Sequence, residues 1–236
     1  MRDISVRALT FDVFGTVVDW RTGVAAEGRR LGRLHGVDAD WEQVADAWRA
    51  LYIPYMNKVR GGELPWTNFD TLHRMSLDQV LDELGIEGFD ASARDEFTRS
   101  WERLPAWPDA VEGITALSQR FTVATLSNGN RSQQEALRRF AELPFPRLIS
   151  AEDFQHYKPD PEVYLGAAAV LGVAPDQLMM VAAHKGDLRA AQAAGLRTAF
   201  VERPLEKGPS GGADRLPDPE ADVQATDFLS LATIIA

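Results

Sequence analysis

Short apolar runs recur along the chain, and a stretch with helical periodicity follows most of them. The runs that are typical of buried strands cover 6–14, 121–128, 147–154, 177–184 and 197–203. Continuous apolar strands that alternate with helices indicate a parallel sheet covered on both faces. We therefore predict an α/β fold built on a doubly wound parallel sheet.

The interval from 17 to 105 has a different pattern. It contains no good strand candidate, and a sheet does not need so long an insertion between its first two strands. Helical periodicity is present at 40–59, 69–85 and 92–104. We predict a helical cap over 17–105 and an α/β core formed by 1–16 and 106–236. The segment 202–222 is rich in Gly, Pro and charged residues, which predicts a surface loop.

Polar side chains follow four of the predicted strands at the point where each strand ends. They are Asp12 after the first run, Ser127 and Asn128 after the second, Lys158 in the loop after the third, and His184 to Asp187 after the fourth. Chemistry in parallel sheets collects at the carboxyl ends of the strands. We therefore expect these side chains to form one site.

Composition and charge narrow the classes of partner. The chain has 236 residues with a formal net charge of −10, and an acidic surface repels a phosphate backbone, so we do not expect nucleic acid as a partner. There is no cysteine, which excludes disulfides, thiolate nucleophiles and cysteine-ligated metals. The first residues contain no apolar signal core, and no run approaches 18 apolar residues. We predict a cytoplasmic protein that does not enter a membrane.

Asp12 has three uses that the local pattern leaves open. It could cap a turn, bind a metal or act as a nucleophile, since aspartate forms covalent ester and phosphoryl intermediates. Gly15 lets the backbone turn sharply beside the carboxylate, and Thr16 supplies a hydroxyl that can orient it. These neighbours favour a chemical role over a cap.

Four motifs carry a resemblance to a known family. "DVFGT", "LSNGN", "KPDPEVY" and "AAHKGD" resemble, in order and spacing, the four motifs of the haloacid dehalogenase superfamily, and the resemblance covers nearly the whole chain. It implies a Rossmann-like α/β core with a helical cap inserted after the first motif. It also implies that Asp12 is the nucleophile and that the supporting catalytic residues are Thr16, Ser127, Lys158 and Asp187.

Phe14 bears on the choice of chemistry within that superfamily. The phosphatase members resemble one another in a second Asp two positions after the nucleophile, which protonates the leaving group. Here that position is Phe14, which cannot donate a proton. A halide leaves as a stable anion and needs no acid. We therefore expect displacement at carbon, with a phosphatase of the same fold as the alternative.

The fourth motif and the third bear on the question of a metal. A hard cation usually takes several oxygen ligands, and "HKGDLRAAQAAG" offers one clear acid, Asp187. Lys158 supplies a positive charge nearby. We expect neither a metal nor another cofactor.

The L-2-haloacid dehalogenase branch, type II, is the most similar. Its members resemble this chain in an aromatic residue at the Phe14 position and in an arginine on an early cap helix, which matches Arg49 in "DAWRALYIPY". An arginine can hold a substrate carboxylate with two hydrogen bonds, although a solvated helix arginine is the alternative. Tyr164 matches a tyrosine of the family motif, and it could instead be half-core. The branch also implies a homodimer.

The resemblance implies a reaction for the site. Asp12 attacks the halogen-bearing carbon of a 2-haloalkanoic acid, and water then hydrolyses the resulting ester to release a 2-hydroxy acid. Lys158 steadies the charge, Asp187 positions the lysine or the water, and Asn128 donates its amide to the halide or the carboxylate.

The fourth motif departs from the family pattern. His184 stands where the better-known members have an asparagine, and Ala182 and Gly186 replace a serine and a tryptophan. Water positioning therefore passes to His184 as a hypothesis, with a merely hydrogen-bonded histidine as the alternative. A binding protein without catalysis is a third possibility for the chain, but it would have no reason to keep the polar residues of all four motifs.

Overall fold

A parallel five-stranded sheet lies at the centre of the fold. The computed structural model describes residues 6–209, 211, 214 and 217–235. Within them the strand order is β2-β1-β3-β4-β5, and every neighbouring pair is parallel. The strands are β1 Ala8–Phe11, β2 Thr122–Thr125, β3 Leu178–Ala182, β4 Arg197–Val201 and β5 Val223–Ala225. The predicted parallel α/β fold is confirmed.

Helices cover the sheet and fill the interval between its first two strands. The α-helices are α1 Trp20–His35, α2 Trp41–Ala50, α3 Tyr52–Arg60, α4 Phe69–Glu83, α5 Ala91–Thr98, α6 Ala110–Ser118, α7 Arg131–Phe140, α8 Pro161–Leu171, α9 Lys185–Ala193 and α10 Phe228–Ile234. Short 3₁₀ turns occur at Arg99–Glu102, Ala151–Phe154 and Pro175–Gln177. None of the helices in the described part of the chain is both long and apolar enough to cross a lipid bilayer.

Burial explains why the central strands read as unbroken apolar runs. β1 lies between β2 and β3, so that Leu9 pairs with Val123 on one side and Met179 on the other, and every residue of β1 is buried. A strand covered on both faces has no solvated side on which to alternate polar residues. Asp12 comes directly after this strand, and its backbone N–H donates to the Val181 carbonyl at 3.0 Å. The central strand thus carries Asp12 to the carboxyl edge of the sheet.

The predicted strand at 147–154 is wrong. Only isolated bridges pair this segment with the edge of the sheet, at Arg147 and Ser150, and its second half is a 3₁₀ turn. The backbone N–H of Ile149 donates to the Thr125 hydroxyl at 3.1 Å, and that of Ser150 donates to the Asp153 carboxylate at 3.0 Å. The Thr125 hydroxyl therefore takes one hydrogen bond that a regular ladder would have used, and the Asp153 carboxylate caps the 3₁₀ turn.

The interval 17–105, predicted to be a cap, is described throughout and contributes no strand to the sheet. The predicted helix at 40–59 is two helices, because Pro54 lacks an N–H and its ring would clash with the carbonyl four residues earlier in one continuous helix. α1 is not among the predicted helices. The domain boundaries themselves stay a prediction.

The segment 202–222 is not wholly at the surface. Residues 210, 212, 213, 215 and 216 of this predicted loop lie outside the described residues. Of the described part, Glu206 is 5% exposed and Asp218 is 1% exposed. The prediction of a surface loop is therefore wrong at these two positions, because both carboxylates are buried against cationic partners, His184 and Arg189.

Candidate active site

The Asp12 carboxylate is buried at the end of β1 and receives hydrogen bonds on both oxygens. Thr16 Oγ1 donates to Oδ2 at 2.7 Å, and Lys158 Nζ donates to Oδ1 at 2.9 Å. Gly15 has φ of +93°, which lets the chain reverse and return Thr16 to the carboxylate. The Thr16 hydroxyl accepts from the Ala183 backbone N–H at 3.0 Å, so its proton is directed at Asp12.

Lys158 lies between two carboxylates. Its ammonium is 2.9 Å from Asp12 Oδ1 and 2.5 Å from Asp187 Oδ2, and the side chain is 6% exposed. Burial opposes the charge, but the two carboxylates outweigh it and raise the pKa of Lys158 above its usual range. The lysine is therefore a fixed positive charge beside Asp12.

Asn128 fixes the loop that carries this lysine. Its Oδ1 accepts from the Lys158 backbone N–H at 2.8 Å, and its amide donates to the Lys158 carbonyl at 3.4 Å and to Met56 Sδ at 3.2 Å. Met56 belongs to α3, so Asn128 also joins the core to the interval 17–105. The substrate-binding role of Asn128 stays a prediction.

Asp187 stands in the first turn of α9 and is held by two donors. Tyr164 donates its hydroxyl to Oδ1 at 2.5 Å, opposite the bond from Lys158 to Oδ2. Burial raises the pKa of Asp187, and the neighbouring charge of Asp12 adds to this against the opposing effect of Lys158. Tyr164, predicted from the motif, is thus a hydrogen-bond donor to Asp187 and not simply a residue that packs in the core.

Asp12 is ionised in this setting. Burial alone would raise its pKa, but the charge of Lys158 and the hydrogen bond and charge of His184 outweigh burial and hold the pKa of Asp12 well below its usual range. A carboxylate that is desolvated yet charged has the properties of a nucleophile.

His184 lies between Asp12 and a carboxylate that sequence reasoning missed. Its Nδ1 is 3.0 Å from Asp12 Oδ2, and its Nε2 is 2.9 Å from Glu206 Oε1. Trp20 Nε1 donates to the same Glu206 oxygen at 2.9 Å. Glu206 follows β4 in the segment predicted to be a surface loop, and no motif marks it, so only the folded chain brings it to the site.

Arg49 borders the site from α2 with an available donor. Its guanidinium carbon is 4.0 Å from the centre of the Tyr52 ring and 5.5 Å from that of Trp20. Nη1 is buried, and it has no hydrogen-bond partner among the described residues. An arginine stacked between aromatic rings keeps its N–H groups available for an anion.

Indole rings form the wall beyond Arg49. Trp101 stacks on Trp20 with ring centres 6.2 Å apart, and it meets Trp48 edge-on at 5.5 Å. Phe14 contacts the same Trp101 ring edge-on at 5.5 Å and is 1% exposed. Phe14 therefore packs into this wall and supplies no polar group near Asp12.

Ser127 is the predicted catalytic residue that the structure does not bring into the hydrogen-bond network around Asp12. It is fully buried, and its Oγ accepts from the Gly129 backbone N–H at 3.1 Å. The geometry gives this hydroxyl a role in shaping the turn after β2. The catalytic role of Ser127 stays a prediction.

Comparison with known proteins places this geometry in a family. The model of the haloacid dehalogenase-like hydrolases matches residues 6–195. (S)-2-haloacid dehalogenase 1 of Pseudomonas sp. strain CBS-3 is 30% identical over 203 residues, 84% of this chain and 85% of that protein. The crystal structure of a defluorinating L-2-haloacid dehalogenase is 43% identical with a TM-score of 0.94, covering 97% of this chain and 94% of that one. A second L-2-haloacid dehalogenase structure is 42% identical with a TM-score of 0.93, covering 98% of both chains. The chain belongs to the haloacid dehalogenase-like hydrolases and, within them, to the L-2-haloacid dehalogenase branch.

Proposed function

We propose that the protein is a hydrolytic dehalogenase that converts 2-haloalkanoic acids to 2-hydroxy acids through an ester on Asp12. The observation that carries this is the ionised, buried Asp12 carboxylate with Phe14, and not an acid, two positions later. Its relatives' names supply the substrate class, a haloacetate or L-2-haloacid. The reaction acts on a carbon–halogen bond and needs a nucleophile but no acid in its first step.

In the first step the substrate carboxylate binds Arg49, whose Nη1 is available to donate. One oxygen of Asp12 attacks the halogen-bearing carbon from the side opposite the halide, so the centre is inverted. The C–O bond forms as the C–X bond breaks, and the halide takes the electron pair. We assign Asn128 to the edge of the substrate site and Phe14 to its apolar wall, and we keep Ser127 as a supporting catalytic residue.

In the second step water attacks the ester carbonyl carbon of Asp12. Lys158 lies 2.9 Å from Asp12 Oδ1, where negative charge develops on the tetrahedral intermediate. Asp187 holds the lysine there, and Tyr164 holds Asp187. Thr16 orients the carboxylate through both steps.

A phosphatase reaction is disfavoured by the same residues. Expulsion of an alkoxide from phosphorus needs a proton, and the position from which the phosphatase members supply it is here Phe14, which has none to give. The Lys158 ammonium occupies the space between Asp12 and Asp187, the two carboxylates that a hard cation would otherwise use. We therefore propose a reaction that uses no metal and no other cofactor.

Halide release tests the function. Fluoro-, chloro- and bromoacetate and both enantiomers of 2-chloropropionate should be assayed with EDTA present. We expect halide release from at least one of them, no release by Asp12→Ala, and no phosphate release from p-nitrophenyl phosphate with Mg²⁺. Absence of halide from every substrate would sink the proposal, and phosphate release would favour the alternative.

Isotope labelling tests the ester. In ¹⁸O-water under single turnover, the label should enter the Asp12 carboxylate and not the product, because water attacks the carboxyl carbon. Label found directly in the 2-hydroxy acid would mean that water attacks the substrate carbon.

Three broader features belong to the same proposal. We propose that the interval 17–105 acts as a cap that closes the site with Arg49, supported by its contacts to the core at Asn128 and Asn130. The cytoplasmic location and the homodimer stay predictions, the second to be measured by light scattering on the purified protein.

A further inference from the structure

His184 is shared between the nucleophile and a second buried carboxylate. Nδ1 lies 3.0 Å from Asp12 Oδ2, and Nε2 lies 2.9 Å from Glu206 Oε1. Asp12 is 7% exposed and Glu206 is 5% exposed, so both carboxylates are buried, whereas the His184 side chain is 22% exposed and can exchange a proton with solvent. A surface histidine that merely finds a partner would not have both ring nitrogens engaged in this way.

Trp20 and Gly15 hold Glu206 in place. Trp20 Nε1 donates to Oε1 at 2.9 Å, which fixes the carboxylate against the ring that also carries Arg49. Gly15 leaves the space that Glu206 enters, because a Cβ at Gly15 would collide with the Glu206 carboxylate. The site is therefore built to receive a carboxylate opposite His184.

The charges around His184 decide its protonation state. The groups that face it or its partners are Asp12 after β1, Lys158 before α8, Asp187 on α9, Glu206 after β4 and Arg49 on α2. Lys185, the next residue, lies over the Phe200 ring and not on the imidazole. Burial raises the pKa of Glu206, but His184, Arg49 and Trp20 outweigh it and lower the pKa to about 2. Burial opposes the charge of His184, but Glu206 and Asp12 outweigh it and raise its pKa to about 10.

Each ring nitrogen of His184 faces a carboxylate oxygen, and hydrogen bonds to both require a proton on both nitrogens, so the resting histidine is a cation and cannot accept a further proton. Alkylation changes this, because an esterified Asp12 carries no charge and no longer accepts the Nδ1 proton as a carboxylate. One of the two carboxylates that hold the proton on His184 is then lost, and Glu206 alone remains.

We propose that Glu206 positions His184 as the acid–base residue of the second half-reaction, and that alkylation of Asp12 is the event that frees His184 to act as a base. His184 touches the reacting carboxyl group and is a catalytic residue in this scheme, whereas Glu206 acts through it as a positioning residue. The inference rests on the proposed dehalogenase function.

Every proton in the cycle has a donor and an acceptor. After the halide leaves, imidazolium His184 gives its Nδ1 proton to solvent, so the half-reaction releases X⁻ and H⁺. Water then bonds through oxygen to Cγ of the Asp12 ester and transfers a proton to Nδ1. The Cγ–O(alkyl) bond breaks, His184 returns that proton to the departing alkoxide, and the product is a 2-hydroxy acid. The new Asp12 carboxylic acid passes its remaining proton to His184, which restores the ion pair.

The scheme explains how one site serves two leaving groups. The halide of the first step needs no acid, and Phe14 offers none. The alkoxide of the second step does need one, and His184 supplies it on the face of Asp12 where Nδ1 lies.

Glu206→Gln is the decisive variant, because it keeps the shape and an oxygen for Trp20 but removes the charge. With 2-chloropropionate we expect a burst of about one halide per site at the wild-type rate, followed by turnover slowed about tenfold or more. Intact-mass spectrometry should find the ester accumulated on Asp12. The pH profile of ester hydrolysis should move to lower pH, because His184 loses the charge that holds its proton.

A matched control is Asp218→Asn, a buried carboxylate on the same segment that pairs with Arg189 outside the site. It should show no burst and no accumulated ester. In the wild type, D₂O should slow ester hydrolysis and leave the rate of alkylation unchanged. This measurement does not depend on whether Glu206→Gln folds.

Two outcomes would overturn the inference. One is turnover by Glu206→Gln at the wild-type rate without a burst, and the other is an equal loss in alkylation and hydrolysis, which would mean a structural role. Failure of the proposed function shows differently, since the wild type itself would then release no halide.

Discussion

Gly15 combines two requirements at one residue. Its φ of +93° turns the chain between Phe14 and Thr16, and its missing side chain leaves room for Glu206. A left-handed backbone strains any residue with a Cβ. At some glycines of this kind an added Cβ would also collide with a neighbouring side chain, and at others it would point into open space. Comparison with a second glycine separates the two effects.

Gly15→Ala should therefore lose more stability than Gly36→Ala. Gly36 has φ of +70° and nothing within 4 Å of the point where a Cβ would lie, so alanine there costs backbone strain alone, roughly 1–2 kcal/mol. At Gly15 the collision with Glu206 should add roughly 1–3 kcal/mol. Urea unfolding of both variants measures the difference, and equal losses would show that Glu206 moves aside freely.

Tyr164 is the residue through which α8 acts on the site. Tyr164→Phe removes the hydroxyl that donates to Asp187 at 2.5 Å, so Asp187 should hold Lys158 less firmly. A hydrogen bond to a charged group is worth roughly 1.5–3 kcal/mol, and we expect kcat to fall about tenfold or more.

Tyr157→Phe is the matched control for that variant. Tyr157 is also buried, and its hydroxyl donates to the Thr67 carbonyl at 2.6 Å, outside the Asp12 network. Its loss should lower stability and leave kcat near the wild-type value. Comparable losses of kcat in the two variants would mean that Tyr164 has no special relation to Asp187.

Among the elements, those whose side chains are all buried could be predicted from the sequence. The central strands are buried on both faces, so their unbroken apolar runs predicted them well. The segment at 147–154 failed for two reasons. The Thr125 side chain accepts from the Ile149 backbone, a long-range effect that no local pattern records, and Ser150 and Asp153 form a local cap that starts a 3₁₀ turn.

The site residues also divide into those that the sequence predicted and one that it did not. Asp12, Lys158, Asp187 and His184 were predicted because strand ends bring them to one edge, and the structure places them in one network. Glu206 could not be predicted, because a charged residue in a Gly- and Pro-rich segment has the pattern of a solvated loop. Only the fold shows that His184 and Trp20 receive it.

The start of α4 joins the interval 17–105 to α7 of the core. Asn130 Oδ1 accepts from the Phe69 backbone N–H at 2.8 Å, and its amide donates to Asp70 Oδ2 at 2.9 Å. Gln133 donates to the other Asp70 oxygen at 3.0 Å. One carboxylate thus accepts two bonds across this junction.

Stability contributed at this junction should fall as pH rises. Burial, with Glu102 and Glu152 adding to it, raises the pKa of Asp70 to about 6, whereas an unfolded aspartate titrates near about 3.9. The folded state therefore favours the protonated form. The contribution is complete below about pH 4, is lost as pH rises to about 6, and is level above that.

Asp70→Asn should flatten that part of the stability curve, measured by thermal unfolding between about pH 4 and pH 7. Asp40→Asn is the control, an exposed residue at the start of α2 where Asn caps as well as Asp. The same slope in Asp70→Asn as in the wild type would contradict the assignment.

For the whole molecule, charge opposes the substrate. The net charge of the chain is −10. The site itself has as many basic side chains as acidic ones, namely Lys158, His184 and Arg49 beside Asp12, Asp187 and Glu206. A 2-haloalkanoate is an anion, so the long-range field repels it and attraction begins only inside the pocket.

Added salt should therefore raise kcat/KM. Raising ionic strength from about 10 mM to about 150 mM shortens the Debye length to about 8 Å and screens the distant carboxylates more than the pocket cations. Initial rates with a non-halide salt measure the effect, and a decrease would show that the cations of the site dominate the field at a distance.

The three packed indoles beside Arg49 give the enzyme an internal optical reporter. Trp20, Trp48 and Trp101 are close enough to exchange excitation energy, so light absorbed by one is emitted by the group. Trp20 also donates to Glu206, and its surroundings change when an anion reaches Arg49 and again when His184 gains or loses its proton. Stopped-flow fluorescence of the unlabelled protein can therefore follow each stage of a turnover, in real time and without a dye.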